Sequence, residues 1–183
     1  MLKLNQNQIL AAIDILHEEL SRRNIKDNIC LIIVGAASLI LKFNLKRTAS
    51  HIDVLEPIMQ NPRIYGGLGS MLSRMGFHIV SEVMVNLHPD YSEKLELFAH
   101  KEMISVFTLN SYDLAISKIG RGFSKDIDDI LGSDLIANMD ISRLETMYFE
   151  AVAYWIGDEK KYQTNWNLFY ESFEKMKKEH IKP

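Results

Sequence analysis

Arg47-Thr48-Ala49-Ser50-His51-Ile52-Asp53-Val54-Leu55 is the stretch on which the reading of this chain turns. Ile52 and Val54 alternate with polar neighbours and the run closes before Pro57, which predicts a short strand over His51 to Leu55. Side chains two apart on a strand point to the same face, so His51 and Asp53 are presented together while Ile52 turns to the core. Aspartate is disfavoured inside a β-rich run, so Asp53 calls for a functional explanation. An imidazole and a carboxylate on one face form a ligand pair.

Outward from this strand the chain reads as helix, strands, then helices. Ile9, Leu10, Ile13, Leu16 and Leu20 recur at three- and four-residue intervals and predict an amphipathic helix over Asn7 to Arg22. Cys30 to Leu41, with Gly35 and its small neighbours, reads as a short strand or turn leading into a packed helix. Ile64 to Met75 is helical in pattern, with Gly76 as its stop. Strands are expected at Phe77 to Leu87 and Leu95 to Ala99, with a third at Met103 to Leu109; His88-Pro89-Asp90 turns between the first two. Ser111 and Ser124 are placed to cap helices reaching about Ile119 and Leu131, separated by Gly120 and Gly122. Asp140 to Lys178 is aromatic-rich and helical in period, with a break near Gly157-Asp158. The expected fold class is α+β. Residues 1–135 are expected to form its core and 136–183 a C-terminal helical segment packed on that core.

Composition narrows the function. A chain of 183 residues that is 47% apolar and 25% charged buries a single core. Its net charge of -3 gives no global attraction for a polyanion, so contact with nucleic acid needs a local basic patch. The lone Cys30 excludes an internal disulfide and reads as a small core residue in a reducing compartment. The longest apolar run, Ile29 to Leu41, is too short to span a membrane, and the N-terminal residues lack a secretory pattern. A cytoplasmic location away from membranes is the expectation.

Other residues extend the ligand pair. If the Leu95 to Ala99 strand lies beside it, Glu96 converges on the same spot, and carboxylate oxygens suit Mg²⁺ or Mn²⁺ bridging nucleotide phosphates. Gly35, followed by Ala36, Ala37 and Ser38, lets backbone amides at a helix start approach a phosphate, with the Ser38 hydroxyl nearby. Lys118 and Arg121 lie three apart and can both face a triphosphate, while Lys125 and Asp126 open the next helix. Asp126 and Asp128 are equally explained by the helix dipole. Gly66-Gly67-Leu68-Gly69-Ser70 lacks the Lys-Ser/Thr ending of a phosphate loop. The aromatics Tyr148, Phe149, Tyr154, Trp155, Trp166, Phe169, Tyr170 and Phe173 read as core packing. His17, His78, His88, His100 and His180 show no metal-ligand spacing.

Three segments in order carry a resemblance over about 100 residues: Val34-Gly35-Ala36-Ala37, then Arg47 to Asp53, then Asp113-Leu114-Ala115-Ile116-Ser117-Lys118 leading to Lys125-Asp126-Ile127-Asp128-Asp129. Together they resemble the nucleotidyltransferase superfamily that includes DNA polymerase beta, and within it the AbiEii-like toxins and minimal bacterial nucleotidyltransferases. The resemblance implies a mixed sheet flanked by helices and metal-assisted transfer of a nucleotidyl group from a nucleoside triphosphate to an unknown acceptor, RNA or protein, with Mg²⁺ or Mn²⁺ as cofactor. By it, Asp53, Glu96 and His51 hold the metal. Gly35, Ala36, Ser38, Arg47, Thr48, Lys118 and Arg121 meet the nucleotide, and Asp126 and Asp129 lie near the acceptor as base or orienting group. It also implies a toxin-antitoxin setting with a protein partner. Two departures stand out: Ala36 replaces the usual glycine or serine, and His51 replaces the first catalytic aspartate. The second removes negative charge and, by adding nitrogen, moves metal preference from Mg²⁺ towards Mn²⁺ or heavier ions. It also motivates the alternative of a catalytically degenerate member that serves as a binding or partner module.

Overall fold

The computed structural model describes residues 3–25, 28–55, 65–155 and 157–180. Helix α1 (Gln6–Arg22) starts at a reciprocal cap: Asn5 Oδ1 accepts from the Gln8 amide at 3.0 Å, and Gln8 Oε1 accepts from the Asn5 amide at 2.9 Å. Its periodic residues Ile9, Ile13, Leu16 and Leu20 are buried, as the spacing requires. Strand β1 (Ile29–Ile33) runs directly into α2 (Gly35–Lys42), and the chain then enters β2 (Ile52–Leu55). Helix α3 (Tyr65–Arg74) leads to β3 (Phe77–Val80), followed by β4 (Glu96–Lys101) and β5 (Ile104–Thr108). Helices α4 (Ser111–Arg121), α5 (Ser124–Leu131), α6 (Ile141–Ala151) and α7 (Glu159–His180) complete the chain.

The strands form one mixed sheet in the order β3-β2-β1-β5-β4. β1 is parallel to β5 and antiparallel to β2, β2 is parallel to β3, and β4 pairs antiparallel with β5. The fold is therefore α+β, a mixed sheet flanked by helices with a helical C-terminus. Central β1 is apolar and buried along most of its length, whereas edge strand β4 is largely exposed. Cys30 is half-buried on β1, so it is less enclosed than a core residue. Helices α6 and α7 pack on α4, where Tyr148, Trp166, Phe169 and Phe173 are buried and Tyr148 stacks on Tyr162 at 4.0 Å between ring centroids. Tyr154 and Tyr170 remain exposed. No described helix is long and apolar enough to cross a membrane.

Several boundaries differ from expectation for physical reasons. The strand expected to reach Leu87 stops at Val80, which is paired with Leu55 at the end of the described β2 ladder. A 3₁₀ turn over Glu82–Met84 follows. Helix α4 is capped by Asn110, whose side chain accepts from the Asp113 amide at 3.0 Å, and Ser111 is already its first helical residue. Helix α5 begins after Phe123 with no side-chain cap, so Ser124 is likewise inside the helix. The glycines at 66, 67 and 69 lie within α3 and form no loop; residue 64, expected to open that helix, is outside the described residues.

Candidate active site

Asp53 is the second residue of β2, and its neighbours on both sides of the ladder set its surroundings. Its carbonyl accepts from the Val34 amide at 2.9 Å, which ties β2 to the start of α2. Gly35 at that start has φ +67, in the left-handed region that side chains rarely adopt. A Cβ there would stand 3.0 Å from Asp53 Oδ2. The glycine thus gives one carboxylate oxygen room against the first turn of α2.

The other oxygen faces two imidazoles. His51 Nε2 and His78 Nδ1 each lie 3.1 Å from Asp53 Oδ1. His51, expected as the first residue of this strand, lies in a bend one position before β2, and its ring still reaches Asp53. His78 arrives from β3, whose parallel register sets it directly opposite Asp53. One ligand atom from each of the three residues can be chosen so that all lie within 4.8 Å of one another. The two rings meet edge to face with centroids 5.1 Å apart, and Ser50 Oγ is 2.9 Å from His51 Nδ1. His78 has no recognisable ligand spacing in the sequence; strand pairing is what places it beside Asp53.

Glu96 is not brought to this cluster. It lies on β4 at the opposite end of the sheet, with β1 and β5 between it and β2, and it pairs with Lys42 at the end of α2. The expectation that it converges with Asp53 assumed that the two strands are neighbours. Asp53 is left as the one carboxylate of the cluster.

Two clefts of about 460 Å³ each open on either side of the cluster, and both are lined by His51, Asp53, Arg121 and Phe123. The first continues past Met84, Asn86 and Trp155 and is the more apolar. The second runs past Ala36, Arg47, Ser50 and Lys125. Lining cations, Arg47, Lys118, Arg121, Lys125 and Lys161, outnumber the lining carboxylates Asp53 and Asp126 in a chain whose net charge is -3. Three of these cations, Arg47, Lys118 and Arg121, are paired with Asp126 or Asp129. Arg121 Nε is shielded from solvent and has no hydrogen-bond partner among the described residues.

Beneath the second cleft the remaining predicted charges neutralise one another. Lys118 Nζ lies 2.8 Å from Asp126 Oδ1 and 2.7 Å from Asp129 Oδ2, and its side chain is 1% exposed. Arg121 holds Asp126 at 2.6 Å, and the Arg47 guanidinium bonds both oxygens of Asp129. Burial pushes the Asp129 carboxyl up, but the Arg47 bond and the Lys118 charge outweigh it, so it titrates below the ordinary carboxylate range. Lys118 touches the cleft wall, yet its ammonium is engaged by two carboxylates rather than free for a phosphate. Asp126, 5% exposed and held by two cations, is placed as their counter-ion and not as a proton acceptor. Ser38 is fully buried in α2 with its hydroxyl lacking a partner among the described residues, and Thr48 is exposed away from both clefts. Of the nucleotide contacts expected from sequence, Gly35, Ala36, Arg47, Lys118 and Arg121 line the clefts. Asp113, in the first turn of α4, is fully buried, and burial pushes its carboxyl up.

A family model described as "Nucleotidyltransferase of unknown function (DUF6036)" matches residues 8–179. No curated protein and no solved structure matches the chain.

Proposed function

The chain belongs to this nucleotidyltransferase family, and from that premise we propose that it transfers a nucleotidyl group from a nucleoside triphosphate to an acceptor hydroxyl at the junction of the two clefts. The observation that carries the reading is that His51, Asp53 and Arg121 line both clefts at once. A donor lying in one cleft and an acceptor in the other would meet at these residues.

The apolar side of the first cleft, with Phe123, Met84 and Trp155, suits a nucleobase. Arg121, which lines both clefts, is the guanidinium placed to meet phosphate oxygens. The start of α2 adds backbone amides beside Asp53. In the reaction the acceptor oxygen bonds to the α-phosphorus, the bond to the bridging oxygen breaks, pyrophosphate leaves, and the acceptor proton passes to solvent. A divalent cation held by Asp53 and His51 would supply charge to neutralise the phosphates. The donor set is a poor fit to Mg²⁺, which takes oxygen ligands in near-octahedral array, and a better one to Mn²⁺.

Calorimetric titration of each nucleoside triphosphate with Mn²⁺ or Mg²⁺, paired with a pyrophosphate-release assay, tests this. Wild type is expected to bind a nucleotide only with cation present, and Asp53→Asn to weaken that binding on the order of a hundredfold with its melting temperature kept. Absence of nucleotide binding under every cation would sink the proposal. The second reading, a degenerate module, is favoured by Asp53 being the lone carboxylate of the cluster. It predicts cation-dependent binding with no pyrophosphate released.

A further inference from the structure

We propose that His51, Asp53 and His78 form a three-ligand site for a first-row transition cation of the Mn²⁺ to Zn²⁺ series, selective against Mg²⁺. This goes beyond the transfer reading by adding His78 as a ligand and by fixing the class of ion.

The donor chemistry decides the class. Two imidazole nitrogens and one carboxylate oxygen are a set used by zinc and by non-haem iron, with further positions left for water or substrate. Mg²⁺ dehydrates reluctantly and prefers oxygens, of which this cluster supplies one carboxylate. The geometry agrees. Two ligands bound at about 2.0–2.1 Å to one tetrahedral ion stand roughly 3.3 Å apart, and each imidazole nitrogen here is 3.1 Å from Asp53 Oδ1.

The surroundings also suit a ligand site. Ser50 Oγ, 2.9 Å from His51 Nδ1, leaves Nε2 as the nitrogen turned to the cluster. Such an outer partner orients a ligating imidazole. His78 is held by a backbone register, since β2 and β3 pair Asp53 with His78. The side chains of His51 and His78 are 47% and 62% exposed, so an ion can enter from the clefts and each ring can adjust to it. Asp53 is only 19% exposed and anchors the set.

The test uses the metal alone, without nucleotide. Co²⁺ is titrated into wild type, His78→Ala and His51→Asp and followed by its visible absorption, with Zn²⁺ and Mg²⁺ as competitors and circular dichroism as the check of fold. Wild type is expected to bind Co²⁺, to release it to Zn²⁺ and to keep it against Mg²⁺. His78→Ala, at an exposed position, should weaken Co²⁺ binding on the order of a hundredfold with an unchanged spectrum of secondary structure. His51→Asp should bind Zn²⁺ more weakly and Mg²⁺ more tightly. Displacement of Co²⁺ by Mg²⁺ as readily as by Zn²⁺, or wild-type affinity in His78→Ala, overturns the proposal. Since no nucleotide is present, either result leaves the transfer reading to its own experiment.

Discussion

Lys118→Ala is expected to lower the unfolding free energy by about 3–5 kcal/mol, the range for removing one partner of a buried ion pair. The cause is not the loss of one contact but what stays behind. Asp126 and Asp129 are 5% and 1% exposed, and each would keep a single arginine while losing the ammonium between them. In urea, with a slope of about 2 kcal/mol/M, the midpoint should fall by roughly 2 M. A shift under about 0.5 M would mean that the two arginines suffice and that Lys118 is free for another role. The pH dependence supplies a sign. The Asp129 carboxyl titrates below its unfolded value, so its contribution is present above the unfolded pKa of about 3.9 and is lost as pH falls through the lower, folded one. Wild-type stability should therefore fall in acid, and the deficit of Lys118→Ala should shrink there, because a protonated carboxyl no longer needs the ammonium.

This network explains why part of the site was hidden in the sequence. Lys118, Asp126 and Asp129 are spaced across two helices joined at Gly122, so no single helical period brings them together. Read one helix at a time, Lys118 resembles a phosphate contact and Asp126 an acid that compensates the helix dipole. Only the packing of α4 on α5 makes them one buried cluster with Arg47. The local elements, by contrast, were written plainly: the spacing of Ile9, Ile13, Leu16 and Leu20 gave α1, and alternation around Ile52 and Val54 gave β2 and Asp53 within it. The error over Glu96 came from strand order, which local patterning does not carry. A usable signal did exist. β2, α3 and β3 form a strand-helix-strand unit, and the tendency of consecutive strands to lie side by side places Phe77–Val80, not Glu96–Lys101, beside Asp53. Counting two residues into each strand then sets His78 opposite Asp53.

The same residue-level geometry makes Gly35→Ala the sharpest probe of how α2 serves the site. Alanine at φ +67 pays roughly 1–2 kcal/mol for the left-handed backbone, which for a chain of this size is about 2–8 °C in melting temperature. The added methyl also meets Asp53 Oδ2 at 3.0 Å, close enough that the carboxylate must give way. A shift of the anchoring carboxylate by a few tenths of an ångström disturbs its alignment with the two imidazoles. Weaker cation and nucleotide binding than wild type is the expected result. Gly76→Ala separates this from strain alone: Gly76 has φ +85, but a Cβ there meets nothing within 4 Å. It should lose similar stability and still bind as wild type does. Equal binding by the two variants would show that the close approach of Gly35 to Asp53 is a matter of packing, and the contact between α2 and the carboxylate would drop out of the site.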